Sequence, residues 1–396
     1  MKRTIAVIMI ILLFLCASSA LAEEAEAVNL WCLELISAGE AVDSLTTAVP
    51  EEADAAEIKI ALIDSGIRES DPRIDKEKIL EGKNYVFEEA GTNDLLGHGT
   101  AVTSIILGAA LEDMKIASIA EHISVVPLVC FSRYPSGVLA NSGMDGLCKA
   151  IVDAVELYGC RIINISSGMD KESPVLKEAI DYAENKGVII ISAVGNSNAG
   201  APEKVFYPAA YETVIGVGSV NGEGQVSAFS QRNASVFVSA PGDNVEVAAP
   251  SEKKKFKKVS GTSYAAAYVT SFAAFLLSEY PDMTPDEFRQ ILKDSSKDLG
   301  EPGYDIAYGW GLIDVKAALA KAEKILVPAS YFFNPYSNIL KCSTICPFRS
   351  KSGYQIHHSK VIPRIAKIKC RDRSSTLISS LSSPWRTPLS NISEIN

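Results

Sequence analysis

Six short, nearly continuous apolar runs, separated by stretches with helical periodicity, constrain this chain more than any other feature. They read IKIALID, ISVVPLV, RIINISS, IISAVGN, TVIGVGSV and VFVSAPG. A strand with one wet face alternates apolar and polar residues, so runs apolar on both faces belong to a sheet covered on both sides. GMDGLCKAIVDAVELYG and SPVLKEAIDYAENKG lie between them and predict helices. The second opens on Ser173-Pro174 and closes at Gly187, matching the residue preferences of helix ends. Strands alternating with helices predict an α/β fold, a mostly parallel central sheet with helices on both faces. A helical stretch follows: Thr270 to Ser278 is apolar, and Thr284-Pro285-Asp286-Glu287 starts a helix running through Lys293. GLIDVKAALAKAEKI closes the region expected to be ordered, and no internal repeat is visible.

Charge divides the chain into parts. The 396 residues carry 38 lysines and arginines against 48 acids, a net charge of −10, which gives nucleic-acid binding no electrostatic basis. Residues 1–22 run from Lys2-Arg3 through an apolar stretch, Ile5 to Leu15, to Ala20-Leu21-Ala22. This is the pattern of a signal peptide cleaved after Ala22, and the apolar stretch is short for a bilayer span. The protein is therefore expected to be secreted, or periplasmic in a Gram-negative bacterium, without a stable membrane anchor. Lipid attachment at Cys16 is the rival reading, but Leu13-Phe14-Leu15 lacks the small residues such a site needs. Residues 23–57 form an acidic lead-in with ten acids and no base, and an apolar patch from Leu30 to Ile36. Residues 58–324 carry the α/β pattern. Residues 325–396 reverse the balance, with ten bases against two acids, and become Ser-, Lys- and Arg-rich after Val327-Pro328. A segment without periodicity buries too little apolar surface to offset its ordering entropy, so this tail is expected to be poorly ordered.

Polar residues that end apolar runs are the first candidates for chemistry, because α/β folds bind ligands at strand ends. Asp64 ends IKIALID; alone, it reads as a turn or cap residue. His98 sits between two glycines in Gly97-His98-Gly99-Thr100, at the start of a helix. Of four histidines, His122 lies in an ordinary loop and His357-His358 in the tail, which leaves His98 as the candidate base. Ser263, in Ser260-Gly261-Thr262-Ser263, opens a small-residue helix whose dipole favours an oxyanion, though a helix cap explains it equally well. Asn196 ends IISAVGN and either donates to a developing negative charge or closes a turn. Cys148 and Cys160 lie twelve residues apart on a helix and its end, about 18 Å along the axis, too far to bridge. Buried free thiols are expected.

Taken in order, Asp64-Ser-Gly, Gly-His98-Gly-Thr, the serines before Gly168, Gly-Asn196 and Gly-Thr-Ser263 resemble the subtilisin-like serine peptidases. The resemblance runs from about Ile58 to about Leu319 and includes YPAAYETVIGVGSV and YGWGLIDVKAAL. It implies a three-layer fold and an Asp64, His98, Ser263 triad with Asn196 in the oxyanion hole. It implies too that Ser166, Ser167, Gly168, Ala193 and Gly195 line the groove for a peptide or protein substrate. The family's usual GTSMAAPHVAG reads GTSYAAAYVTS here, with Tyr264, Ala267 and Tyr268 at the changed positions, and Ala101 replaces a second histidine. The 35-residue lead-in is shorter than the inhibitory pro-domain many secreted members carry. Glu112 and Asp113 stand where a structural calcium site is frequent, without its usual asparagine and glycine pattern; the chemistry itself calls for no cofactor.

The expected function is that of a secreted serine endopeptidase. The alternative is a catalytically inactive relative serving as a binding or scaffold protein, and four filled positions argue against it. Lys253 to Lys258 could attract acidic substrates but reads first as a solvated hairpin. Cys342, Cys346, His357, His358 and Cys370 have spacing too loose for a regular zinc site. Oligomeric state is left open.

Overall fold

The computed structural model describes residues 30–38, 57–108, 122–248, 256–326 and 393–394. The signal segment, the Glu112–Asp113 loop, Lys253 to Lys255 and the Cys/His set of the tail lie outside them. All six apolar runs form strands: β1 (Ile58–Asp64), β3 (Ile123–Val129), β6 (Ile162–Ile165), β8 (Ile189–Ala193), β9 (Ile215–Val220) and β10 (Val238–Pro241). A two-residue edge strand, β2 (Lys83–Asn84), completes a seven-stranded sheet of order β10-β9-β8-β6-β1-β3-β2. Every pairing in it is parallel. Two antiparallel pairs stand outside it, β4 (Phe131–Arg133) with β5 (Leu139–Asn141) and β11 (Val245–Ala248) with β12 (Phe256–Val259).

Alternate residues of the central strands feed two separate cores. From β1, Ile58, Ile60 and Leu62 enter one core and Ala61 and Ile63 the other. The second core is closed by α3 (Gly143–Glu156) and α4 (Pro174–Asn185), whose Leu147, Ile151, Leu176 and Ile180 are buried. The first holds α2 (His98–Ile106), α5 (Thr262–Glu279), α6 (Pro285–Ser295) and α7 (Val315–Leu326). This is the three-layer arrangement. Each side chain such as Leu62 or Ile63, withdrawn completely from water, stabilises by about 1.5–3 kcal/mol.

Helix ends follow the local signals. Ser173 accepts the amide of Leu176, and Thr284 and Glu287 form a reciprocal capping box. Helix α5 is buried almost all round, and its alanines, Ala265, Ala266, Ala267, Ala273 and Ala274, let strands approach closely.

The apolar patch of the lead-in forms a short helix, α1 (Leu30–Leu35), that joins the first core: Cys32, Leu33 and Ile36 are buried there. The Val315 amide donates to the Ile36 carbonyl, and Tyr268 of α5 hydrogen-bonds the Cys32 thiol. Burial pushes that thiol up to about 12 and the phenol well above its ordinary range. The tyrosine at position 268 is thus matched by a partner in the lead-in. Cys130, Cys148 and Cys160 are free as well, and Cys148 and Cys160 form no bridge.

Within the tail, Ser393–Glu394 forms a strand, β13, antiparallel to β7 (Ser167–Gly168).

Candidate active site

Strand order reverses at β1: the chain builds β3 on one side of it, then crosses to β6 on the other and continues outward through β8, β9 and β10. Such a switch point opens a crevice at the strands' carboxyl ends. Asp64 is the last residue of β1, Ser166 follows β6, and Asn196 follows β8. Helices α2 and α5 point their N-termini there, with His98 first and Ser263 second in their helices.

Asp64 is buried, and its two carboxylate oxygens lie 2.8 and 3.0 Å from Nδ1 of His98. A carboxylate only accepts, so Nδ1 carries the hydrogen and the neutral ring keeps its lone pair on Nε2. The flanking glycines are required by geometry. Gly97 adopts a left-handed φ of 83°, and a Cβ on Gly99 would meet the Gly66 carbonyl oxygen at 2.2 Å. Helix α2 can approach β1 this closely only without that carbon.

Asp94 is a residue that the motif reading did not single out, and it organises this approach. Fully buried, it accepts from the amides of Leu96 (2.9 Å), Gly97 (2.7 Å) and Thr100 (2.9 Å). It also accepts from the hydroxyls of Ser65 (2.9 Å) and Thr100 (2.6 Å), and Ser65 in turn accepts the Gly99 amide at 2.9 Å. The carboxylate therefore caps α2 and ties it to the residue after Asp64, complementing the positive helix end. An acid just before a predicted helix start was the available signal.

On the other side, Asn196 Oδ1 accepts from both the amide and the hydroxyl of Thr262, each at 2.9 Å, which fixes the amide's orientation beside the residue before Ser263. The Thr262 hydroxyl also accepts the Gly195 amide at 3.2 Å. Gly195 has a φ of 110°, and a Cβ there would press into the Phe206 ring at 2.5 Å. Ala193 is fully buried in the first core. The Ser263 hydroxyl donates to the Ser166 carbonyl at 3.4 Å. Buried Asn164 links these parts, donating to the Ser166 hydroxyl at 3.1 Å and accepting from Thr270 of α5 at 2.9 Å.

Tyr264 connects the two halves, its ring centroid 5.7 Å from that of His98. The imidazole, Asp64, the Ser263 helix and the Asn196 turn thus meet in one place. His122 does not join them. It interacts with Glu279 at the far end of α5, about 24 Å along the helix from Ser263. Cys130 lies behind Asp64, its amide donating to the Asp64 carbonyl at 2.8 Å, and burial pushes its thiol up to about 12.

A family model described as the Subtilase family matches residues 55–311. Subtilisin DY of Bacillus licheniformis is 34% identical over 268 residues, which is 66% of this chain and 91% of that protein. The crystal structure of fervidolysin from Fervidobacterium pennivorans, a keratinolytic enzyme related to subtilisin, superposes with a TM-score of 0.60 at 29% identity. It covers 74% of this chain but 47% of that one. A lanthipeptide protease structure gives a TM-score of 0.60 at 26% identity, covering 76% of this chain and 96% of that one.

Proposed function

This chain belongs to the subtilase family and is a serine-type endopeptidase acting on peptide or protein substrates, and we propose that it works through Asp64, His98 and Ser263 with Asn196 as oxyanion donor. The observation that carries this reading is the double contact of His98 Nδ1 with the Asp64 carboxylate, at 2.8 and 3.0 Å, on the helix facing Ser263. In acylation, Nε2 of His98 takes the Ser263 proton as Oγ bonds to the scissile carbonyl carbon. The electron pair of the carbonyl moves to oxygen, where the Asn196 side-chain amide and the Ser263 backbone N–H donate to it. The N-terminal end of α5 favours the same negative charge. The imidazolium, stabilised by Asp64, then protonates the leaving amine as its C–N bond breaks. Water repeats the sequence on the acyl-enzyme, giving its proton to His98 and releasing Ser263. No step in this balance calls on a metal or cofactor.

The extended substrate pairs its backbone with Ser166, Ser167 and Gly168 by strand addition, over a floor shaped by Ala193 and Gly195. Residues 1–22 direct export and are removed after Ala22; among the described residues no helix is long and apolar enough to cross a membrane. Labelling with a fluorophosphonate tests the mechanism, since only an activated serine reacts. Label on Ser263, lost in both Ser263→Ala and His98→Ala, is the expected result; label retained in either overturns it.

A further inference from the structure

We infer that the chain's own C-terminal segment, through Ser393–Glu394, occupies the substrate strand Ser167–Gly168 and competes with peptide substrates. This rests on the reading of Ser166–Gly168 as the strand that substrate pairs with. The register is antiparallel, Ser393 opposite Gly168 and Glu394 opposite Ser167. Among the described residues β13 is the sole strand in a ladder with β7, whose backbone edge lies outside the seven-stranded sheet. One backbone edge holds one strand at a time, so a bound tail excludes an extended peptide from the same positions. The site is also the chemically relevant one. Strand β7 begins one residue after Ser166, whose carbonyl accepts the Ser263 hydroxyl at 3.4 Å. A strand laid along β7 therefore runs past the nucleophile.

Tethering favours this occupant as well. It makes the contact intramolecular, with an effective concentration that reaches the millimolar range for favourable linkers, so a short and weak strand pairing still competes. Strand addition reads backbone rather than side chains, so the tail needs no motif to bind.

The test uses the full chain and a short chromogenic peptide substrate. Glu394→Pro and Ser393→Pro each remove a backbone N–H from β13 without touching the catalytic residues. Expected is a KM at least three-fold lower with kcat unchanged. A synthetic peptide spanning Ser390 to Asn396, at millimolar concentration, is expected to restore the higher KM of Glu394→Pro competitively. Its binding to Ser263→Ala/Glu394→Pro is read independently by fluorescence anisotropy of a labelled copy. Unchanged kinetics in both proline variants together with no peptide binding overturn the inference. Ser167→Pro separates the two readings. If it raises KM while the tail variants do nothing, the substrate strand stands and the tail's role falls. If it leaves KM unchanged, or the peptide binds without competing, the strand assignment itself fails and takes the inference with it. Cleavage of the tail beside Ser393 by the active chain would mark it as a substrate and overturn the inhibitory role.

Discussion

Removing the Asp94 carboxylate should cripple the enzyme without touching any residue assigned to bond-making. In Asp94→Ala the amides of Gly97 and Thr100 lose their acceptor in a buried place and that of Leu96 in a part-buried one, along with the hydroxyls of Ser65 and Thr100. The hydroxyls can turn to other partners; the buried amides cannot. A buried donor left unsatisfied costs about 1–3 kcal/mol, so the two buried amides alone make the loss at least about 2 kcal/mol. Asp94→Asn is the graded control. It keeps an acceptor for Ser65, Leu96 and Gly97 and turns an NH2 toward Thr100, leaving one amide unmet, at a cost of about 1–3 kcal/mol. His98 is the first residue of the helix so capped, and a misplacement of about 1 Å costs on the order of 100-fold in rate. The assay is urea unfolding in a Ser263→Ala background, which prevents self-digestion, with kcat and KM measured in the active background well below the transition. Expected are Ala more damaging than Asn, and kcat falling at constant KM. Equal stabilities within about 0.5 kcal/mol and an unchanged kcat would refute the argument that this carboxylate positions the imidazole.

Ser263→Ala should abolish hydrolysis with the fold intact by circular dichroism. Asn196→Ala should lower kcat by about 100- to 1,000-fold, a range set by subtilisin itself, and a loss under ten-fold would speak against an oxyanion role. Gly99→Ala should lose activity and cost about 1–3 kcal/mol in urea unfolding, because its methyl would collide with the Gly66 carbonyl. Activity should fall on the acid side as His98 protonates and can no longer accept the serine proton, with His122→Gln leaving the profile unchanged. Cys32, Cys130 and Cys160 have thiols pushed up to about 12 by burial, so iodoacetamide at pH 8 should leave them unlabelled in native protein by peptide mapping. They hold their protons in the folded state while the unfolded chain releases them near 8.5. Their contribution to stability is therefore complete below that value and is lost as pH rises towards about 12.

Elements whose cause is local were legible in the residues. The six apolar strands, the Ser173 cap and the Thr284–Glu287 capping box depend on neighbours within a few positions, and period and propensity report such neighbours directly. The glycines around His98 were legible as a need for close approach, though not what they approach. The candidate residues Asp64, His98, Asn196 and Ser263 stood out because strand and helix ends carry them, and order along the chain pointed to the family. What brings them together is decided by packing. Asp64 and His98 are 34 residues apart, Thr262 and Asn196 66, Asn164 and Thr270 106. No local preference encodes a hydrogen bond across such distances. Asp94 looked like any loop acid until five donors surrounded it, and Tyr268 looked like a departure until the Cys32 thiol lay against it. The pairing of Ser393–Glu394 with Ser167–Gly168 gives the sharpest contrast, because it uses backbone groups that every residue carries. Composition is blind to that interaction, and only the backbone edge of a folded strand could reveal it.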